Sequence, residues 1–91
     1  MNATPAGPAM SQKIFSMNLD VETVSLYLLC CAVADAGAPI TDRTLKEKWN
    51  GSPEALEKHR DLLEKKNIIG RHADTGMDEI VYHVMDEKKW R

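Results

Sequence analysis

His59, His72 and His83, the adjacent Cys30 and Cys31, and 14 Asp and Glu among 91 residues are the side chains equipped for metal or nucleophilic chemistry. A helical zinc site asks for two histidines at i and i+4, and no pair here has that spacing. A metal site is expected only by convergence in three dimensions. A bridge between neighbouring cysteines is strained, and no other cysteine exists to form a C-x-x-C knuckle, so both are expected to be reduced core residues. No Ser/His/Asp arrangement, catalytic carboxylate pair or glycine-rich phosphate loop stands out. A chain this short builds one small core with little room for a cleft, so no enzyme activity, metal or cofactor is expected.

Recognition by charge remains. A formal charge of -2 gives no overall attraction for nucleic acid or an anionic membrane, so any polyanion must meet a local patch. Arg43, Lys46 and Lys48, then Lys58, then Arg71 with His72, could form a discontinuous basic strip. Glu54, Glu57, Asp61 and Glu64 run among these bases. Spacing i to i+4 also lets Glu54 neutralise Lys58 and Asp61 neutralise Lys65, which would leave a solvated face.

The elements that must position these residues are marked by their caps. MNATPAGPAMSQ, residues 1–12, has no charge and little to bury, and is expected to be a mobile tail before a single domain over 13–91. It lacks the basic start and apolar middle of a secretion signal. Asp20 as N-cap, Glu22 in the first turn and Gly37 as the stop predict a first helix through VETVSLYLLCCAVAD. Val21, Val24, Tyr27, Leu28 and Cys31 have core spacing, yet Leu26, Leu29, Cys30 and Val33 make the helix apolar all round. Two coverings are open for the second face: a second copy of the chain, with Phe15, Leu26, Leu29, Cys30 and Val33 as a homodimer interface, or Ile14, Phe15, Met17 and Leu19 from the same chain. The uncharged run Val24 to Ala34 is well short of the roughly 20 residues that span a bilayer, so a cytoplasmic protein without membrane contact is expected.

Ala38-Pro39-Ile40 suits a short extended stretch, a third strand near residues 38–40. Thr41 then caps a second helix over TDRTLKEKWN, which Asn50-Gly51 breaks. Ser52 as N-cap, Pro53 in the first turn and Glu54 at the positive end of the dipole start a third helix. Leu56, His59, Leu63 and Lys66 form its stripe, and Asn67 ends it as a left-handed cap, so Asn67→Gly is expected to keep or raise stability. Ile68 to His72 and Ile80 to Met85 are strand-like and flank a turn at Asp74-Thr75-Gly76, which predicts a hairpin with Ile80, Tyr82 and Val84 facing the core. Trp90 either packs back on the domain or caps a partner.

The fold class is therefore α+β, mainly α: three helices and a C-terminal two-stranded hairpin. Thr41, Leu45, Trp49, Asn50, Ser52, Leu56, His59, Leu63-Glu64-Lys65-Lys66-Asn67-Ile68-Ile69 and Tyr82-His83-Val84 fall in register with a known pattern. About half the chain thereby resembles winged helix-turn-helix regulators of the bacterial MarR type. The opening MNLDVETVSLYLL is similar, more weakly, to the N-terminal winged-helix modules of phage replication organisers. Three positions depart from the pattern: Lys46 stands for a small alanine, Gly51 for an apolar turn residue, and Arg60 for a leucine. Asp61 and Glu64 lie close enough in sequence to pair with Arg60.

The resemblance implies a transcriptional regulator that binds double-stranded DNA as a homodimer, with the third helix in the major groove and the hairpin as its wing. Carried onto this chain, the expected DNA-binding residues are Arg43, Lys46, Lys48, Ser52, Glu54, Lys58, Arg71 and His72. Glu54 or Glu57 would accept from a cytosine amino group. The balanced charge of the third helix leaves a second expectation open, a winged helix that docks a protein partner without binding DNA.

Overall fold

Two residues in the left-handed region decide where the long helices stop. The computed structural model describes residues 11–74 and 79–91. Helix α1, Val21–Asp35, ends where Gly37 takes φ 80°, and its last carbonyls are closed by Gly37 N–H to Ala34 O at 3.0 Å and Ala38 N–H to Val33 O at 3.2 Å. After β1 (Ile40–Thr41) and α2 (Asp42–Lys48) comes α3, Pro53–Lys65, whose end repeats the device with Asn67 at φ 60°. Asn67 N–H bonds Glu64 O at 2.9 Å and Ile68 N–H bonds Leu63 O at 2.9 Å. Both ends are Schellman closures, which satisfy carbonyls the helix leaves orphaned.

The helix starts are as legible as the stops, with one exception. Thr41 accepts from Thr44 N–H at 3.1 Å and Ser52 from Ala55 N–H at 3.1 Å, with Pro53 in the first turn of α3. Asp20 precedes α1 but makes no side-chain capping bond; its backbone carbonyl begins the ladder by accepting from Val24 N–H at 3.0 Å.

Strands β2 (Ile69–Asp74) and β3 (Glu79–Val84) form the expected hairpin, and β1 adds to the other edge of β3, giving an antiparallel sheet of order β1-β3-β2. The turn expected at residues 74–76 falls largely outside the described residues. Arg71 faces Tyr82 and Ile69 faces Val84 on one side of the sheet, while Gly70 faces His83 and His72 faces Val81 on the other. Tyr82 is buried and Val84 half-buried, but Ile80 is exposed, lying towards the far end of the hairpin beyond the core.

The core differs from the expectation for α1. Its buried residues are Thr23, Leu26, Tyr27, Cys30, Cys31 and Val33, while Val21 is 80% exposed. An all-round apolar helix carries no single stripe, so α1 is oriented by what surrounds it, namely α2, α3, β1 and β3. Leu26 and Cys30 are wholly buried and Val33 almost so within one chain, and Leu29 packs half-buried on the same core. These four therefore do not form the free dimer face expected of them; of that set only Phe15 is exposed. Ile14, Met17 and Leu19 join the core, as the covering from within the chain requires.

Ser11 and the C-terminal segment meet over Tyr27. Ser11 and Gln12, assigned above to the tail, instead cap and begin a 3-10 helix, Gln12–Ser16, and Ser11 N–H donates to Tyr27 Oη at 2.8 Å. Residues 1–10 lie outside the described residues. Trp90 packs back on the domain, edge-on to Tyr27 with ring centroids 5.5 Å apart, and donates from Nε1 to Met85 O at 3.0 Å. Ser11 Oγ also bonds Glu87 in the closing 3-10 helix, Glu87–Lys89. Asn67 Nδ2 donates to Lys89 O at 2.9 Å, which ties the end of α3 to the C-terminal segment. No helix among the described residues is long and apolar enough to cross a membrane.

Candidate nucleic-acid interface

Leu56, His59 and Leu63 anchor one flank of α3 in the core, so the helix presents the other flank to solvent. Glu54, Glu57, Lys58, Asp61 and Lys65 are all exposed, and at 100° per residue they fall on a single stripe. The Glu54–Lys58 and Asp61–Lys65 ion pairs that the spacing allows are not formed among the described residues; the i to i+4 pair observed on α3 is Arg60 Nε with Glu64 Oε1, at 3.8 Å. On α2, Arg43, Lys46, Glu47 and Lys48 are exposed. Lys46 projects to solvent, where its charge stays hydrated.

In the turn between α2 and α3, a Cβ on Gly51 would lie 2.8 Å from Trp49 Nε1, so the indole rests against the bare glycine and would have to shift for any larger residue. Trp49 Nε1 is buried without a hydrogen-bond partner among the described residues, and its ring centre is 6.2 Å from that of His59. His59 Nδ1 lies 2.7 Å from Thr23 Oγ1 and Nε2 lies 3.6 Å from Glu22 Oε1, which makes it a core histidine joining α3 to α1.

Arg60 and Arg71 are committed to the fold. Arg60 Nη1 donates to Asp42 Oδ1 at 2.8 Å and Nη2 to Asp61 Oδ1 at 3.1 Å, with its guanidinium carbon 5.8 Å from the centre of the Tyr82 ring. Asp42 Oδ1 also accepts from Tyr82 Oη at 3.1 Å, so one carboxylate oxygen ties α2, α3 and β3. Burial first, and then the charge of Asp42, push the Tyr82 hydroxyl up to about 12. Burial alone lowers the Arg60 pKa, but its bonds to Asp42 and Asp61 more than offset that and raise it.

Arg71 is held in a bidentate grip by Glu64, Nε to Oε2 at 2.6 Å and Nη2 to Oε1 at 2.7 Å, with its guanidinium carbon 5.7 Å from the Tyr82 ring centre. The paired carboxylate raises its pKa further. Arg71, expected as a phosphate contact, projects from the core-facing side of β2 towards α3, with its guanidinium engaged by Glu64. His72 projects from the opposite side of the sheet, where its ring lies 5.3 Å from that of His83.

The expected set therefore divides. Lys46 and Lys48 are exposed on α2, and Ser52, Glu54 and Lys58 at the start and outer flank of α3, with the Ser52 hydroxyl oxygen already engaged as a cap; Arg43 is exposed on α2; Arg71 and His72 lie on opposite faces of the hairpin. Lys65 joins the stripe, and helical spacing from Lys58 could have found it. Asp42 as a partner of Arg60 could not be found that way, because 18 residues separate the two. Cys30 and Cys31 are free and buried, and burial, then the neighbouring Cys31, pushes the Cys30 thiol up to about 12. Among the described residues no group of three or more His, Cys, Asp or Glu side chains converges as a metal site. No family model matches this chain, and neither does any of the curated proteins or solved structures compared with it.

Proposed function

We propose that the chain is a winged helix that binds duplex DNA through the outer stripe of α3, with phosphate contacts from lysines alone. The observation that carries this reading is the division of labour among the bases. Arg60 and Arg71 are drawn into carboxylate pairs, while Lys46, Lys48, Lys58 and Lys65 are exposed and make no ion pair among the described residues. A helix carrying such a stripe fits the major groove, where Glu54 and Glu57 can accept from cytosine amino groups and the lysines meet phosphates. Four such contacts imply weak, salt-sensitive binding, with a slope of log K against log salt of about -3 to -4. The helix 1 homodimer is not part of this reading, since its face is covered. Mobility shift at low salt followed by a salt titration tests the proposal.

One observation favours a second reading. The stripe carries three carboxylates, Glu54, Glu57 and Asp61, against Lys58 and Lys65, and the whole chain is acidic. Such a face suits a protein partner better than a polyanion. If no DNA is shifted, and a protein is retained by the wild-type chain but not by a Glu54→Lys, Asp61→Lys variant, the docking reading replaces the first.

A further inference from the structure

On the face of the sheet away from the Arg71–Tyr82 side, a histidine and a methionine lean over a glycine, and a second histidine stands beside the first. His83 stands opposite Gly70, and His72, two residues further along β2, is its diagonal neighbour. Met85 follows His83 by two residues, and its N–H bond to Ile68 O at 2.9 Å carries the same pairing one step past the strand, so Met85 lies on that face too. A Cβ on Gly70 would lie 3.0 Å from His83 Nε2 and 3.1 Å from Met85 Sδ, so both donor atoms lean over the one residue that has no side chain to part them.

We propose that His72, His83 and Met85 form a binding site for a soft monovalent metal ion, Cu(I). The two donor atoms over Gly70 carry the argument, and the ring spacing fits it. With a metal–nitrogen bond of about 2.0 Å and a ring centre about 1.2 Å behind the donor, two imidazoles on one trigonal or tetrahedral metal have centres roughly 5.2–5.5 Å apart. The rings of His72 and His83 are 5.3 Å apart and tilted by 45°. Both are exposed, so an ion can reach them from solvent.

The third ligand sets the choice of metal. A thioether is a soft donor that favours Cu(I), whereas zinc sites draw on thiolate, imidazole and carboxylate, and hard cations on oxygen. The two cysteines do not compete on the same terms, since both are buried and burial keeps their thiols protonated.

The test is an anaerobic titration of the full chain with Cu(I) against a chromophoric Cu(I) chelator. The wild-type protein is expected to withdraw one equivalent. His72→Gln, His83→Gln and Met85→Leu each weaken Cu(I) binding at least tenfold, while Met85→Leu leaves the weaker Ni(II) binding of the histidine pair unchanged. Gly70→Val, which fills the space between the donors, also lowers Cu(I) affinity, and circular dichroism of each variant separates loss of the site from loss of the fold. A Cys30→Ala, Cys31→Ala variant retains the site. The proposal is overturned if the wild-type chain withdraws no Cu(I), if the folded histidine variants bind it as tightly as wild type, or if removing the cysteines abolishes binding.

Discussion

Asp42 Oδ1 sits 2.8 Å from Arg60 Nη1 and 3.1 Å from Tyr82 Oη, so the first residue of α2 holds the middle of α3 and the central strand at one point. The Arg60 side chain is 14% exposed, and without Asp42 its ion pairs among the described residues are those with Asp61 and, at longer range, Glu64. Asp42→Ala is expected to cost about 1–3 kcal/mol in urea unfolding, because it strands a largely desolvated guanidinium and a buried hydroxyl. Asp61→Ala, on an exposed carboxylate, is expected to cost about 0.5 kcal/mol or less. Equal losses in the two variants would show that Asp42 does not tie the elements together.

Arg71 and Lys58 are expected to behave in opposite ways. Arg71→Ala breaks a partly exposed pair with Glu64, lowering stability by about 1 kcal/mol or less and leaving DNA affinity unchanged. Lys58→Ala leaves the melting temperature unchanged and weakens the DNA complex at every sequence tested, as loss of a phosphate contact does. A DNA-binding loss confined to Arg71→Ala would reverse the assignment.

At Asn67, φ of 60° and the bond from Nδ2 to Lys89 O pull in different directions. Glycine relieves the backbone but loses the bond, so Asn67→Gly is expected to stay within about 0.5 kcal/mol of wild type, a narrower expectation than a simple gain. Asn67→Val brings a β-branched side chain into the left-handed region and is expected to cost about 1–2 kcal/mol. A thermal melt in which valine and glycine behave alike would place the end of α3 elsewhere.

The buried thiol makes stability depend on alkaline pH. Cys30 is raised from 9.0 to about 12 in the folded chain, so the unfolded state gives up its proton first as pH rises. The contribution is intact below pH 9 and is lost progressively between 9 and about 12. Cys30→Ala is expected to flatten the fall in melting temperature across that window, and native wild type to react with a thiol reagent only as fast as it opens. Rapid labelling of both thiols in the folded chain would contradict the burial.

The signals legible in the sequence were local. Ser52, Pro53 and Asn67 bound α3 within a few residues of its ends, and the strand runs on either side of residues 75–78 mark the hairpin, because caps and turns act over one to five positions. The face of α1 was not legible, since a helix apolar all round has no stripe to read and only its neighbours choose one. Contacts between distant residues were equally silent: Asp42 with Arg60, Glu64 with Arg71, and Ser11 and Trp90 over Tyr27. The His72–His83 pair lies between these cases. Its members are diagonal neighbours once the register of the hairpin is known, and the sequence leaves that register open.

Fluorescence anisotropy of a labelled random-sequence duplex, titrated with the chain at low salt and repeated as salt rises, tests the DNA-binding proposal most directly. It predicts saturable binding whose log K falls against log salt with a slope of about -3 to -4, shallower by about one in Lys58→Ala. No binding at roughly 100 μM protein, the weak end of non-specific affinity, or a complex indifferent to salt, would contradict it.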